Sequence, residues 1–169
     1  MVSKFKYSRI VDGLLGDQYR NLSNKDITVT LKVSNDPNLN AQAKSTLFKR
    51  GKYNVVGYIP STILQDEALD MVVRGLLAHE FSYISLGHSN FMRYVRNNLL
   101  ILLEYLGFSW LVGKGRLESL EKAADEDVIK RGLGTEILFA RSYVEGVKGT
   151  RISYSVDELV SLIERHTPI

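Results

Sequence analysis

The residues best suited to chemistry lie in the run His79-Glu80-Phe81-Ser82-Tyr83, which has the spacing H-E-x-x-Y. Residues four apart lie on one face of a helix, so the two histidines of an H-E-x-x-H pattern can bind one zinc ion. The glutamate between them then acts as general base on the metal-bound water. Here Tyr83 stands at the position of the second histidine. Taken alone, a His-Glu dipeptide on an apolar helix more often indicates a core histidine with a satisfied hydrogen bond, beside a polar residue.

A pair of carboxylates follows in the run Glu121-Lys122-Ala123-Ala124-Asp125. Glu121 and Asp125 are four residues apart and share one face of a helix. Glu121 could supply a third metal ligand, and Asp125 could hold the other ring nitrogen of His79 and so fix its tautomer. The simpler alternative is a solvated charged face, because further charged residues surround the pair.

Periodicity predicts an α+β protein in which these residues lie on helices. Alternating apolar residues over 27–33 and a β-rich run over 53–59 indicate strands, and residues 151–154 form a third, short candidate. A helix capped by Ser61 or Thr62 should end near Leu86, where Gly87 stops it. Further helices are expected over residues 1–22, 90–106, 116–130, 135–144 and 156–165.

The two motifs together resemble those of the gluzincin metallopeptidases, in particular the HtpX-like group and the minigluzincins. In that family an apolar helix reading L-x-A-V-L-A-H-E-x-x-H is followed downstream by E-x-x-A-D. Residues 73–80 match the first pattern up to its second histidine, and residues 121–125 match the second in full. The resemblance covers about residues 38–143. It implies one zincin-like domain over residues 1–169, with a small N-terminal β-sheet, an active-site helix and a further helical bundle.

The resemblance also implies a role for each residue of the two motifs. His79 would be the first metal ligand, Glu80 the general base and Glu121 the third ligand. Asp125 would orient His79, while Tyr83 occupies the second ligand position. A phenol with a pKa of about 10 must lose its proton to bind a metal, so we expect zinc to be bound weakly or not at all. Alternatively, Tyr83 hydrogen-bonds Glu121 or Glu80 and replaces the metal by a direct polar network.

Other residues could complete a peptidase site. His88 would lie about 180° from the first histidine on a continuous helix, so we interpret it as a loop residue. His166 lies near the C-terminus, and nothing in the sequence positions it. An active gluzincin also needs a donor for the oxyanion, for which Arg131, Arg141 and Tyr143 are candidates. Each of these three has a surface or packing role as its alternative.

Composition limits the remaining possibilities. The chain has 169 residues, no cysteine and three histidines, so disulfide frameworks, Fe–S clusters and thiol nucleophiles are excluded and one small metal site is allowed. With 22 basic and 19 acidic residues, the net charge of +3 is too weak to predict nucleic-acid binding. A loose basic stretch over residues 44–52 could contact nucleic acid, but such a stretch is more simply a solvated loop.

The most apolar stretch, residues 99–112, is interrupted by Glu104 and Gly107. It is shorter than the about 20 apolar residues that a membrane span needs. We therefore expect a buried core helix, with an interfacial or re-entrant segment as the alternative. The N-terminal residues lack the apolar run of a signal peptide, which favours a cytoplasmic protein.

The sequence thus predicts a zincin-fold protein with an altered metal site, weakly active or inactive on peptide or protein substrates. The alternative is a metal-free module that binds or regulates a peptide or protein and keeps the protease fold. In the resembling family a strand forms the upper rim of the cleft, where an extended peptide can add to the sheet. A metal-free module could hold a peptide there without cutting it.

Overall fold

A computed structural model describes residues 4–35, 40–45, 51–61, 69–89, 91–107, 115–148 and 153–166. Within them a three-stranded sheet precedes a set of helices, which confirms the predicted α+β class. The strands are β1 (Asp26–Ser34), β2 (Asn40–Ser45) and β3 (Lys52–Pro60). The helices are α1 (Lys4–Gly13), α2 (Leu69–Ser85), α3 (Phe91–Tyr105), α4 (Arg116–Lys130), α5 (Gly134–Lys148) and α6 (Val156–His166).

The sheet has β3 at its centre, parallel to β1 and antiparallel to β2. Successive side chains of a strand point to opposite faces, and β3 follows this period: Tyr53, Val55 and Ile59 are buried, whereas Asn54 and Tyr58 are exposed. The edge strand β2, which the sequence did not predict, lies against α2. Because β3 is paired on both sides, β1 and β2 are the edge strands, and β2 is the one that borders α2.

Helix α2 is the centre of the fold and packs against β2, β3, α4 and α5. Most of its residues are buried because apolar side chains recur on nearly all sides of the helix. Gly75 allows α5 to approach closely, since a methyl group there would overlap the carbonyl oxygen of Glu136 and lie 3.0 Å from the Cβ of Ala140. The predicted end of the helix is confirmed: α2 ends at Ser85, and Gly87 follows with φ 73°.

Tyr19 joins the N-terminal region to the central helix. Its ring is fully buried, and its hydroxyl donates to the carbonyl of Ala78 at 2.7 Å and lies 2.8 Å from Oγ of Ser82. The guanidinium carbon of Arg131, from the end of α4, lies 4.3 Å from the centre of the Tyr19 ring. A buried phenol needs a hydrogen-bond partner, and these contacts provide it while they hold α2 and α4 together.

Several predicted elements differ from the structure at their ends. The first helix stops at Gly13, and a π-helical turn (Leu14–Gln18) and a 3-10 turn (Arg20–Leu22) continue the chain. The strand predicted over 151–154 is wrong where it can be checked, because residues 153 and 154 have no strand structure. Residues 151–152, and most of the predicted start of α2 after residue 61, lie outside the described residues. Helix α4 has the bounds that periodicity predicted.

The prediction of a buried helix over residues 99–112 is wrong for its described part. The carboxylate of Glu104 turns towards the start of α4 and accepts hydrogen bonds from the backbone N–H groups of Gly115 at 2.6 Å and Arg116 at 3.3 Å. This contact places Glu104 against the start of α4. On the opposite side of α3, the side chains of Leu99 and Leu102 are each 53% exposed, and that of Leu106 is 63% exposed. Among the described helices, none is long and apolar enough to cross a membrane.

Candidate functional site

The two sequence motifs meet where α2 packs against α4. Nδ1 of His79 lies 2.8 Å from Oδ1 of Asp125, and Nε2 lies 3.2 Å from Oε2 of Glu121. His79 is buried, Asp125 is fully buried and Glu121 is mostly buried. The one-turn spacing of the two acids explains the arrangement, because it lets one face of α4 contact both ring nitrogens. Each nitrogen of the imidazole therefore faces a carboxylate.

Tyr83 lies one turn after His79 and contacts the same glutamate. Its hydroxyl donates to Oε1 of Glu121 at 2.8 Å. Burial and the negative charge of Glu121 raise the pKa of Tyr83, so the phenol keeps its proton at neutral pH. Of the two partners that the sequence suggested for this hydroxyl, Glu121 and Glu80, it contacts Glu121 in the structure. The side chain at the second ligand position is thus a proton donor.

Arg141, on α5, completes the group of charges. One guanidinium nitrogen, Nη2, donates to Oε2 of Glu121 at 3.0 Å and to Oδ1 of Asp125 at 2.8 Å. Nε donates to Oδ2 of Asp125 at 3.1 Å, and Nη2 also lies 3.3 Å from Nδ1 of His79. The sequence suggested Arg141 as an oxyanion donor or as a surface or packing residue, and it did not indicate these contacts with both acids. We refer to His79, Glu121, Asp125 and Arg141 together as the central cluster.

Ser153 provides a further contact that the sequence did not indicate. Its buried hydroxyl donates to Oδ2 of Asp125 at 2.5 Å. The segment was predicted as part of a strand, and no spacing rule relates residue 153 to a helix that ends more than twenty residues earlier. Asp125 therefore accepts hydrogen bonds from three different elements of the fold, which explains how a fully buried carboxylate is tolerated.

The charges of the central cluster balance. Burial and the charge of Arg141 lower the pKa of His79, but the hydrogen bonds and charges of Asp125 and Glu121 outweigh them and raise it to about 9. Burial alone would raise the pKa of both acids, yet contacts with His79 and Arg141 lower the pKa of each to about 2. At neutral pH two cations therefore face two anions. With both ring nitrogens protonated, His79 donates one hydrogen bond to each acid.

Glu80 points to the sheet and lies outside the central cluster. Its Oε2 accepts a hydrogen bond from the backbone N–H of Ala43 at 2.6 Å, and burial raises the pKa of the carboxyl group. The hydroxyl of Ser89 lies 3.5 Å from the carbonyl oxygen of Ala43. The N–H of Ala43 thus points away from β3, and the outer edge of β2 faces α2. The predicted general base is bonded to the strand that borders the site.

No family model, curated protein or solved structure matches this chain. Membership of the gluzincin family is therefore a prediction from two sequence motifs, and so is the zincin-like fold. The structure adds the spatial relation of these motifs: His79 on α2 contacts the Glu121 and Asp125 side chains on α4.

The other candidates are not members of the central cluster. His88 is in the turn after α2, where its ring centre lies 5.4 Å from that of Tyr83. Arg131 donates to Asp127 at 2.8 Å and to Ser85 at 2.9 Å, so it belongs to the Tyr19 region. His166 ends α6 and contacts the carbonyl of Leu162 in its own helix. Tyr143 packs against the hydrophobic core.

The donor set does not fit the zinc site that the resemblance implies. A catalytic zinc needs three protein ligands that offer lone pairs. Glu121 has such atoms, but both ring nitrogens of His79 carry protons at neutral pH and Tyr83 also offers a proton. The guanidinium of Arg141 lies against the ligand oxygen of Glu121. In the part of the chain that the structure describes, no group of three or more His, Cys, Asp or Glu side chains is arranged to hold a metal ion.

Proposed function

We propose that this chain is a zincin-fold relative of the gluzincin zinc metallopeptidases that neither binds zinc as a cofactor nor hydrolyses peptides. It serves as a module that binds or regulates a peptide or protein. The observation that supports this proposal is the use of Glu121: one oxygen accepts from Tyr83, and the other accepts from Arg141 and contacts His79. Both oxygens of the expected third ligand are therefore engaged within the protein.

Hydrolysis by a gluzincin needs a water that is polarised by a cation and deprotonated by a nearby glutamate. In this chain the carboxylate oxygen Oε2 of Glu80 is bonded to the N–H of Ala43 at 2.6 Å. The nearest cation to Glu121 is a guanidinium, which has no vacant coordination position for a water. These two features favour the non-hydrolytic alternative over a weakly active peptidase.

The edge strand β2 is the surface that we assign to a peptide. An extended peptide adds to a free sheet edge through main-chain hydrogen bonds. On β2 the edge N–H of Ala43 is directed away from β3, but it is buried against α2 by its bond to Glu80. Because Glu80 occupies the N–H of Ala43, a peptide that pairs along this edge must displace the carboxylate at that point. We therefore expect Glu80→Ala to bind extended peptides more tightly than the unmodified protein.

The peptidase part of the proposal is tested with quenched fluorescent peptides, with and without added zinc. We expect the unmodified protein to cleave no faster than Glu80→Gln. Zinc-dependent cleavage that Glu80→Gln abolishes would refute the proposal.

The binding part is tested by fluorescence anisotropy with a set of labelled extended peptides. Glu118→Ala, which removes a half-exposed glutamate of α4, is the matched control for Glu80→Ala. We expect tighter binding by Glu80→Ala only. Equal affinities of the two variants for every peptide would exclude the β2 edge as the binding surface.

A further inference from the structure

The guanidinium of Arg141 lies among the side chains that the resemblance assigns to a zinc centre. We infer that Arg141 takes the place of the zinc cation: together with His79 it balances the charges of Glu121 and Asp125, and it competes directly with any metal for Glu121. This inference rests on the proposed metal-free function and adds the residue that makes the site metal-free.

The contacts of the arginine support this role. Its Nη2 contacts the carboxylate that would bind the metal and the carboxylate that would orient the first ligand, at 3.0 and 2.8 Å. The side chain of Arg141 is only 12% exposed, and those of Glu121 and Asp125 are 16% and 0% exposed. Two neighbouring buried carboxylates need positive charge in contact with them. An active gluzincin obtains it from zinc, whereas this chain carries its own cation on α5.

Two other roles for Arg141 make different predictions. An oxyanion donor would direct its N–H groups towards a substrate, but Nε and Nη2 are directed at Asp125 and Glu121. A salt bridge with a purely structural role would stabilise the helices without affecting metal affinity. A cation that competes with zinc must lower zinc affinity, because two positive charges cannot share one carboxylate oxygen without repulsion. Zinc affinity therefore separates competition from simple stabilisation.

The test restores the missing ligand and then removes the competing cation. Zinc chloride alone is titrated by calorimetry into the unmodified protein, Tyr83→His and the double variant Tyr83→His/Arg141→Met. Methionine keeps much of the length of the side chain and removes the charge. We expect the double variant to bind zinc at least about tenfold more tightly than Tyr83→His. Equal affinities of these two variants would overturn the inference.

Two controls separate charge from shape and position. Tyr83→His/Arg141→Lys retains a cation and should bind zinc no more tightly than Tyr83→His; binding as tight as that of the methionine variant would overturn the inference. Tyr83→His/Arg131→Met removes an arginine that pairs with Asp127 and does not contact the central cluster. It should have the zinc affinity of Tyr83→His, and a gain equal to that of the Arg141 variant would also overturn the inference.

Thermal unfolding provides a second measurement, which also applies to variants that are unstable without metal. Arg141→Met leaves two buried acids with His79 as their one remaining cation in the central cluster, so its Tm should fall by at least about 6 °C. Zinc should raise the Tm of Tyr83→His/Arg141→Met more than that of Tyr83→His. An unchanged Tm in Arg141→Met, or a double variant that stays unfolded in zinc, would contradict the inference. Stoichiometric zinc in the unmodified protein would instead refute the proposed metal-free function.

Discussion

Replacement of Asp125 by asparagine tests whether the central cluster holds the fold together. Asp125 is fully buried and accepts hydrogen bonds from Arg141 and Ser153 while it contacts Nδ1 of His79. Asparagine has nearly the same shape but no charge, and its amide nitrogen would face one of these donors. Removal of one partner from a buried ion pair costs about 3–5 kcal/mol. We therefore expect the free energy of unfolding of Asp125→Asn to fall by that amount.

The matched control is Glu118→Gln, on the same helix. Glu118 pairs with Lys122 at 2.7 Å, but its side chain is about half exposed, so solvent screens the pair. Its loss should cost about 1 kcal/mol or less. The free energies are measured by urea unfolding at pH 7, with the m-value compared to confirm that the same surface is exposed. Equal losses in the two variants would refute the reasoning, because burial would then have no effect on the cost of losing the charge.

Three further predictions concern the same helices. Tyr83→Phe removes a hydrogen bond to the charged Glu121 and should lower the free energy of unfolding by about 1.5–3 kcal/mol in urea, whereas a loss near zero would contradict the observed contact. The pKa of His79 is raised from 6.5 to about 9 in the fold, so the protonated ring stabilises the folded state by up to about 3 kcal/mol; this contribution is complete below pH 6.5 and is lost as the pH rises through 9. The free energy of unfolding in urea should therefore be lower at pH 10 than at pH 6, and His79→Gln should lack this difference. Gly75→Ala places a methyl group against the carbonyl of Glu136 and should cost about 1–3 kcal/mol, measured by thermal unfolding; an unchanged Tm would show that α5 can move away.

The sequence predicted those features of the site that depend on positions within one helix. The spacing of Glu121 and Asp125 placed both acids on one face of α4, and the bounds of that helix were predicted correctly. Helical periodicity is regular, and it is sufficient for such inferences.

The missed features depend on how separate elements pack. Arg141 reaches the central cluster because Gly75 lets α5 approach α2 closely. The spacing of residues within α5 does not predict that approach. Ser153 reaches Asp125 from an irregular segment, and the N–H of Ala43 reaches Glu80 from an edge strand. Contacts of this kind depend on interhelical distance and strand order, which a single sequence does not specify.

The zinc content of the unmodified protein tests the central claim most directly. The protein is produced in zinc-supplemented medium, purified without chelators and analysed for metal together with Glu121→Gln. Because Tyr83 and Arg141 already engage Glu121, we predict far less than stoichiometric zinc, with no difference between the two proteins. One zinc per chain in the unmodified protein, lost in Glu121→Gln, would contradict the account.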